Sequence, residues 1–276
     1  MTSFPSRSQR VWFGLLSSCL IALTACQDAT PNETDAAESG DPIRSTEPDP
    51  SPSPEPSPTP GRFDDRIPDF DDPPANPTTG HVPSDDAPLY FSIPTDDPVA
   101  FITIDDGWVQ NPDAIELLAE ADVPNTLFLL GPVAEDHPEY FAEIAETGAT
   151  IHPHTDSHRS LPDLDYTEQK REICSSSETL AELYDIRPRL FRPPFGEYDD
   201  DTLRAAAECG MDAVLHWRQA VKDGTVHFQE GDTVQPGDII LMHFRDEFVD
   251  DYIAALEAID EAGLTPALLD DYIPSE

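Results

Sequence analysis

The sequence predicts an α/β fold built on a parallel sheet. Short apolar, β-branched runs alternate with stretches of helical period from about Asp97 onward, and repeated strand–helix units place helices outside such a sheet. Asp105-Asp106, His154, Arg192 and His243 each stand where one of those runs ends. Parallel α/β sheets and barrels gather their reactive groups at the carboxyl ends of strands. About 180 residues suffice for one substantial core.

The elements follow in order. Val99 to Ile104 is an apolar, β-branched run and reads as a strand buried on both faces. Pro112 to Ala121 reads as a helix, Thr126 to Leu130 as a strand, His137 to Thr147 as a helix and Ala149 to His152 as a strand. Tyr166 to Tyr184 is a longer amphipathic helix. Arg189 to Phe191 is a short strand leading into Arg192-Pro193-Pro194-Phe195-Gly196. Asp200 to Cys209 is helical, and Ala213 to Leu215 returns to strand. Asp238 to Met242 is a strand ending at His243. Val249 to Ala262 is the last helix before Pro266-Ala267-Leu268-Leu269. No internal repeat stands out.

The first strand stops at Asp105-Asp106-Gly107. Adjacent carboxylates repel, and a bound cation offsets that cost directly. A solvated Asp-Asp-Gly turn is the plain alternative. Three of the eight histidines fall between His152 and His158. The spacing of His154 and His158 is expected to put both rings on one side of a helical turn. One carboxylate oxygen and two imidazoles make a three-ligand site that leaves a divalent metal open to water. The neighbouring carboxylate is then free as a base. His152 is read as structural or supporting rather than as a ligand.

Residues 1–25 read as an export signal. Arg7 and Arg10 supply the positive start, and Val11 to Ala25 is an apolar stretch too short to span a bilayer comfortably. Leu23-Thr24-Ala25-Cys26 resembles the bacterial lipoprotein signal-peptide box. That implies cleavage before Cys26, lipid on its thiol and new amino terminus, and a cell-membrane lipoprotein facing the cell wall. The membrane is then touched only through the anchor. An ordinary signal peptide or an uncleaved anchor is the alternative. Residues 26–97 read as a disordered acidic linker, rich in proline and serine. At about 3 Å per residue the extended arm reaches on the order of 100–200 Å. The folded domain is placed at 98–276.

The chain carries 56 acidic and 15 basic residues, a net charge of −41. Most of the surplus lies beyond Asp97, so it belongs to the folded part. This excludes general nucleic-acid binding, which needs basic patches. It also argues against attraction to anionic lipid or anionic wall polymers, and fits a solvated surface suited to high salt. Cys174 and Cys209 each sit on an expected helix. An even pair in an exported domain allows a disulfide, and sequence alone does not show whether their Cα atoms come within bridging distance.

Four motifs occur in order: Thr103-Ile104-Asp105-Asp106-Gly107, His154-Thr155-Asp156-Ser157-His158, Arg192-Pro193-Pro194-Phe195-Gly196 and Leu241-Met242-His243. Together they resemble the successive motifs of polysaccharide deacetylases with a NodB-like domain, carbohydrate esterase family 4. The resemblance covers roughly Pro98 to the C-terminus. It implies a distorted, incomplete (β/α) barrel and metal-dependent removal of acetyl groups from sugars. It implies a divalent metal, with zinc expected, on Asp106, His154 and His158. Asp105 would be the general base for the attacking water, and Arg192 would hold Asp105. The backbone amide of Phe195 would help stabilise the oxyanion. His243 would protonate the leaving sugar amine. Leu241 would line the acetyl pocket, and Trp217 would supply an aromatic wall.

The chain departs from the family at one motif. Many members carry Asp-x-x-Asp-Trp where this sequence reads Leu215-His216-Trp217-Arg218-Gln219-Ala220-Val221-Lys222. No aspartate stands where one would tether Arg192 and tune the histidine acid, and Asp223 or another carboxylate is the expected substitute. The expectation is a monomeric hydrolase acting on an acetylated glycan, with peptidoglycan first and chitin-like oligosaccharide or acetylxylan next. A non-catalytic glycan-binding lipoprotein on the same fold is the alternative that the missing aspartate leaves open.

Overall fold

A computed structural model describes residues 60–80, 84 and 86–275. The expected signal peptide, the lipidation site at Cys26 and nearly all of the Ser51 to Pro60 spacer lie outside the described residues. The elements run β1 (Leu89–Tyr90), β2 (Val99–Asp106), α1 (Pro112–Ala121), β3 (Thr126–Leu129), α2 (Gly131–Asp136), α3 (Pro138–Ala145) and β4 (Thr150–Pro153). They continue with α4 (Tyr166–Tyr184), β5 (Leu190–Phe191), α5 (Asp200–Glu208), β6 (Ala213–Leu215), β7 (Gln219–Lys222) and β8 (Thr225–Phe228). β9 (Ile239–His243), α6 (Phe248–Glu261), β10 (Thr265–Pro266) and α7 (Leu269–Tyr272) complete the chain.

One sheet has the order β4-β3-β2-β9-β7-β8, with β10 also on β2; a second has the order β1-β6-β5. Among the described strands, every pairing is parallel except the β7–β8 hairpin. Where β4 meets β5 the recorded link is one backbone bond, Arg192 N–H to the Pro153 carbonyl at 3.4 Å. The sheets therefore abut without closing, which is the expected distorted, incomplete barrel.

β2 explains how the barrel positions its site. Its odd residues Val99 and Phe101 join the inner apolar cluster with Phe128, Leu190, Leu215 and Ile239, while its even residues Ala100, Ile102 and Ile104 join the outer cluster beneath the helices. Tyr272 of α7 packs edge-on against Phe101 at 5.1 Å and fills the lower interior. Continuing up the inner face, the alternation of a strand sends Thr103 and Asp105 inward above Phe101. Asp106 ends the strand with φ 72°, and Gly107 follows with φ 90°. This left-handed turn breaks the alternation and keeps Asp106 at the barrel mouth. A side chain at Gly107 would also strike Phe141 Cζ at 2.7 Å.

Local chemistry sets the helix ends. Asn111 caps α1, with Pro112 in its first turn, and Asp165 caps α4 by accepting from Glu168 N–H. Asp199 and Thr202 form a reciprocal cap on α5. Cys174 of α4 and Cys209 of α5 are disulfide-bonded, with Cα atoms 5.0 Å apart.

Four features differ from the sequence reading. The expected helix His137 to Thr147 is present as Pro138–Ala145, but an unexpected short helix, Gly131–Asp136, precedes it; Pro132 and Pro138 each begin a helix and His137 separates the two. The β7–β8 hairpin was missed. Its Asp223-Gly224 turn has both residues left-handed, at φ 53° and 66°, the conformation a two-residue hairpin favours. The folded body begins before Pro98: Phe63 is buried in the outer cluster, and Leu89 and Tyr90 pair with Val214 and Leu215. Finally, residues 154–158 form a loop and not a helical turn, with Thr155 and His158 left-handed at φ 76° and 52°.

Candidate active site

Asp105 and His243 are direct partners in the β2–β9 register, so both stand at the carboxyl edge of the sheet. His154 follows β4, and its N–H bonds the Leu129 carbonyl at the end of β3. Asp105, Asp106, His154, His158, Phe195, Trp217, Leu241, His243 and Arg245 line one cleft of about 340 Å³. The structure thus brings together every candidate residue read from the sequence; Arg192 lies buried directly behind Asp105.

One oxygen of Asp106 faces both imidazoles, 3.4 Å from His154 Nε2 and 3.3 Å from His158 Nε2. That oxygen is buried with no hydrogen-bond partner among the described residues. The three ligand atoms lie within 4.8 Å of one another. His154 Nδ1 lies 2.7 Å from the Arg192 carbonyl. A carbonyl only accepts, so Nδ1 carries the proton and Nε2 presents its lone pair to the cleft. An orphaned carboxylate oxygen and an imidazole so oriented fit a divalent cation with a nitrogen–oxygen ligand set. The loop is held in this shape from outside. Glu172 of α4 accepts the N–H groups of Asp156 at 3.2 Å and Ser157 at 2.8 Å, and Thr155 Oγ1 accepts that of His158.

Arg192 is fully buried and well supplied with acceptors. Nη1 donates to Asp105 Oδ1 at 2.8 Å and to Thr103 Oγ1 at 2.7 Å. Nε donates to the Leu215 carbonyl at 3.3 Å, and Nη2 to the His216 carbonyl at 2.9 Å. The Thr103 hydroxyl proton goes to the Ile240 carbonyl at 2.7 Å, which leaves its oxygen free to accept from Arg192. The guanidinium also lies 4.4 Å over the Phe128 ring. The expected substitute carboxylate is therefore not what tethers Arg192. One hydroxyl and two main-chain carbonyls hold it, and Asp223 sits in the distant β7–β8 turn.

Electrostatics follow from burial and these neighbours. Burial raises the Asp106 pKa, but His154 and His158 outweigh it and hold the carboxyl well below its usual range. Burial pushes His154 down, yet Asp105 and Asp106 outweigh that and raise it. Burial lowers His243, against the pull of the same two aspartates. Burial also lowers Arg192 while Asp105 opposes it, and arginine starts high enough to stay charged.

Proton and metal compete for His154. Metal affinity is therefore expected to rise with pH through a range lying above the ordinary histidine value of 6.5. Folding of the metal-free chain has the opposite sign. There the raised pKa contributes stability that is complete below 6.5 and fades as pH climbs through the folded value. Titration of zinc into the protein at stepped pH checks the first trend, and an affinity that does not climb with pH contradicts it.

Among the described residues, four of the seven with positive φ other than glycine (Asp106, Thr155, His158 and Phe195) lie at this one site. Strained backbone of this kind concentrates where function requires it. Gly196 follows Phe195 at φ 70°, and a side chain there would strike His216 Nε2 and, at 2.9 Å, the Trp217 ring. His152 is elsewhere: it bonds Asp270 at 3.1 Å and accepts from Arg189 and Leu190 N–H, a structural role. Sequence reasoning missed Thr103 as a tether, Glu172 as a loop anchor and Arg245 in the cleft.

Comparison with known proteins agrees with this geometry. The family model for polysaccharide deacetylase matches residues 92–214. An uncharacterized protein of Streptomyces coelicolor is 39% identical over 193 residues, covering 67% of this chain and 77% of that protein. The chain belongs to the polysaccharide deacetylase family. A chitooligosaccharide deacetylase of Sinorhizobium fredii is 29% identical, covering 53% of this deacetylase and 72% of its relative. The crystal structure of a peptidoglycan N-acetylglucosamine deacetylase superposes with a TM-score of 0.58 at 25% identity, covering 68% of this chain and 94% of that one. Carbohydrate deacetylases are hydrolases, and this one is a hydrolase of that class. Leu241, His243 and Arg245 lie beyond the span matched by the family model.

Proposed function

We propose that the protein is a metal-dependent deacetylase of an N-acetylated polysaccharide, with peptidoglycan the favoured substrate. The observation that carries this is the Asp106–His154–His158 cluster beside an Asp105 that Arg192 orients. Asp106, His154 and His158 would hold a divalent ion, zinc by their nitrogen–oxygen set, which would supply Lewis-acid polarisation of the acetyl carbonyl. Asp105 takes a proton from the attacking water. Its Oδ1 is committed to Arg192, so Oδ2 is the atom that faces the reaction. His243 gives a proton to the leaving nitrogen as the carbon–nitrogen bond breaks, releasing acetate and a free amine. Leu241 and Trp217 give the acetyl methyl group apolar walls. Trp108 and Phe195, 58% and 61% exposed, flank His158 and offer faces to sugar rings.

The name of the superposable peptidoglycan deacetylase and the anchor expected at Cys26 both support a wall substrate. Thr103 and two carbonyls hold Arg192 without the missing aspartate, which removes one of the two grounds for a binding-only protein. Mass spectrometry of acetyl loss across peptidoglycan fragments, chitin oligomers and acetylxylan, with zinc added, tests the reading. Loss from the peptidoglycan fragments is expected to be fastest. No loss from any of the three overturns it.

A further inference from the structure

Arg245 is the cleft residue that the reading above leaves unused. The chain is poor in cations, and most of those described are ion-paired, including Arg62, Arg66, Arg189, Arg192, Arg204 and Arg218. Arg245 makes no ion pair within 4.0 Å among the described residues, although Asp246 and Glu247 follow it directly in sequence; it acts on the Asp251 carboxylate and on His243 only at longer range. It is half-buried and lines the cleft alongside His243. Its backbone is fixed: Phe248 N–H and Asn111 Nδ2 both reach its carbonyl, at 3.2 and 3.5 Å. The Phe244 N–H before it bonds the Asp105 carbonyl at 3.3 Å. A charged side chain is thus presented beside the reactive groups from a loop that is tied down.

An unpaired guanidinium in such a place suits an anion carried by the substrate. Its planar fork matches a carboxylate with two parallel hydrogen bonds. Its position narrows the source. Arg245 lines the same cleft as His243, the group that meets the leaving nitrogen, so an anion it receives lies close to the reacting sugar. A general acidic surface repels anionic polymers, so a local cation is what an acidic glycan needs for admission.

We infer that Arg245 selects a glycan bearing a carboxylate next to the N-acetylated sugar. This rests on the deacetylase reading and narrows its substrate to acidic amino-sugar polymers over neutral ones. The test compares muramyl oligosaccharides whose lactyl carboxylates are free or amidated, using the zinc-loaded protein and its Arg245→Gln variant. For the wild type, amidation is expected to lower kcat/KM about tenfold. Arg245→Gln is expected to lower kcat/KM on the free acid by a similar factor and to be indifferent to amidation. Equal loss on both substrates, or a wild type indifferent to amidation, overturns the inference while leaving the deacetylase reading intact. Failure of the wild type to release acetate from either substrate overturns that reading as well.

Discussion

Replacing Asp105 with asparagine is expected to lower kcat by about a thousandfold, within the range that loss of a positioned general base produces. Asparagine matches aspartate in size and can still accept the Arg192 bond with its amide oxygen. It cannot take a proton. The three ligand atoms belong to Asp106, His154 and His158, so one bound zinc per chain is expected to remain. Steady-state acetate release together with metal analysis of the variant checks this. A kcat within tenfold of wild type would show that Asp105 is not the base.

Replacing Arg192 with methionine is expected to be the most destabilising of the site changes, at about 3–5 kcal/mol. The reason is what it leaves behind. Asp105 is 2% exposed and would be left buried without its ion-pair partner. Thr103 Oγ1 and the Leu215 and His216 carbonyls would lose their donor in the same stroke. The cost is a large share of the stability of an ordinary domain. Urea unfolding of the metal-free wild type and variant measures it. A difference under about 1 kcal/mol would show that the buried pair does not need its tether.

The reactive groups were legible in the sequence because each is announced locally. A buried strand ending in two aspartates, and histidines clustered after another, mark the carboxyl edge of the sheet by strand direction. The tether of Arg192 was not legible, because main-chain carbonyls have no letter in the sequence. Leu215 and His216 offer theirs whatever their side chains are, so no carboxylate is needed in that place. The shape of the His154–His158 loop was also hidden, since it depends on Glu172 reaching across from α4. Two misses had a readable signal. Asp223-Gly224 between Gln219–Lys222 and Thr225–Phe228 is a hairpin turn, obscured because both strands are only four residues long, half polar and partly exposed. Arg245 stands directly before Asp246 and Glu247, so by composition alone it resembles an ordinary solvated charge. β1 gave no usable signal, being two residues inside an acidic, proline-rich stretch.

Zinc titrated into the chelator-stripped protein, with bound metal and acetate release from a peptidoglycan fragment followed in the same samples, tests the central claim most directly. Acetate release is expected to rise in step with bound zinc and to level off at one ion per chain, and a His154→Ala variant is expected to lose both together. Full acetate release from the stripped protein, or one tightly bound zinc with no release, would contradict it.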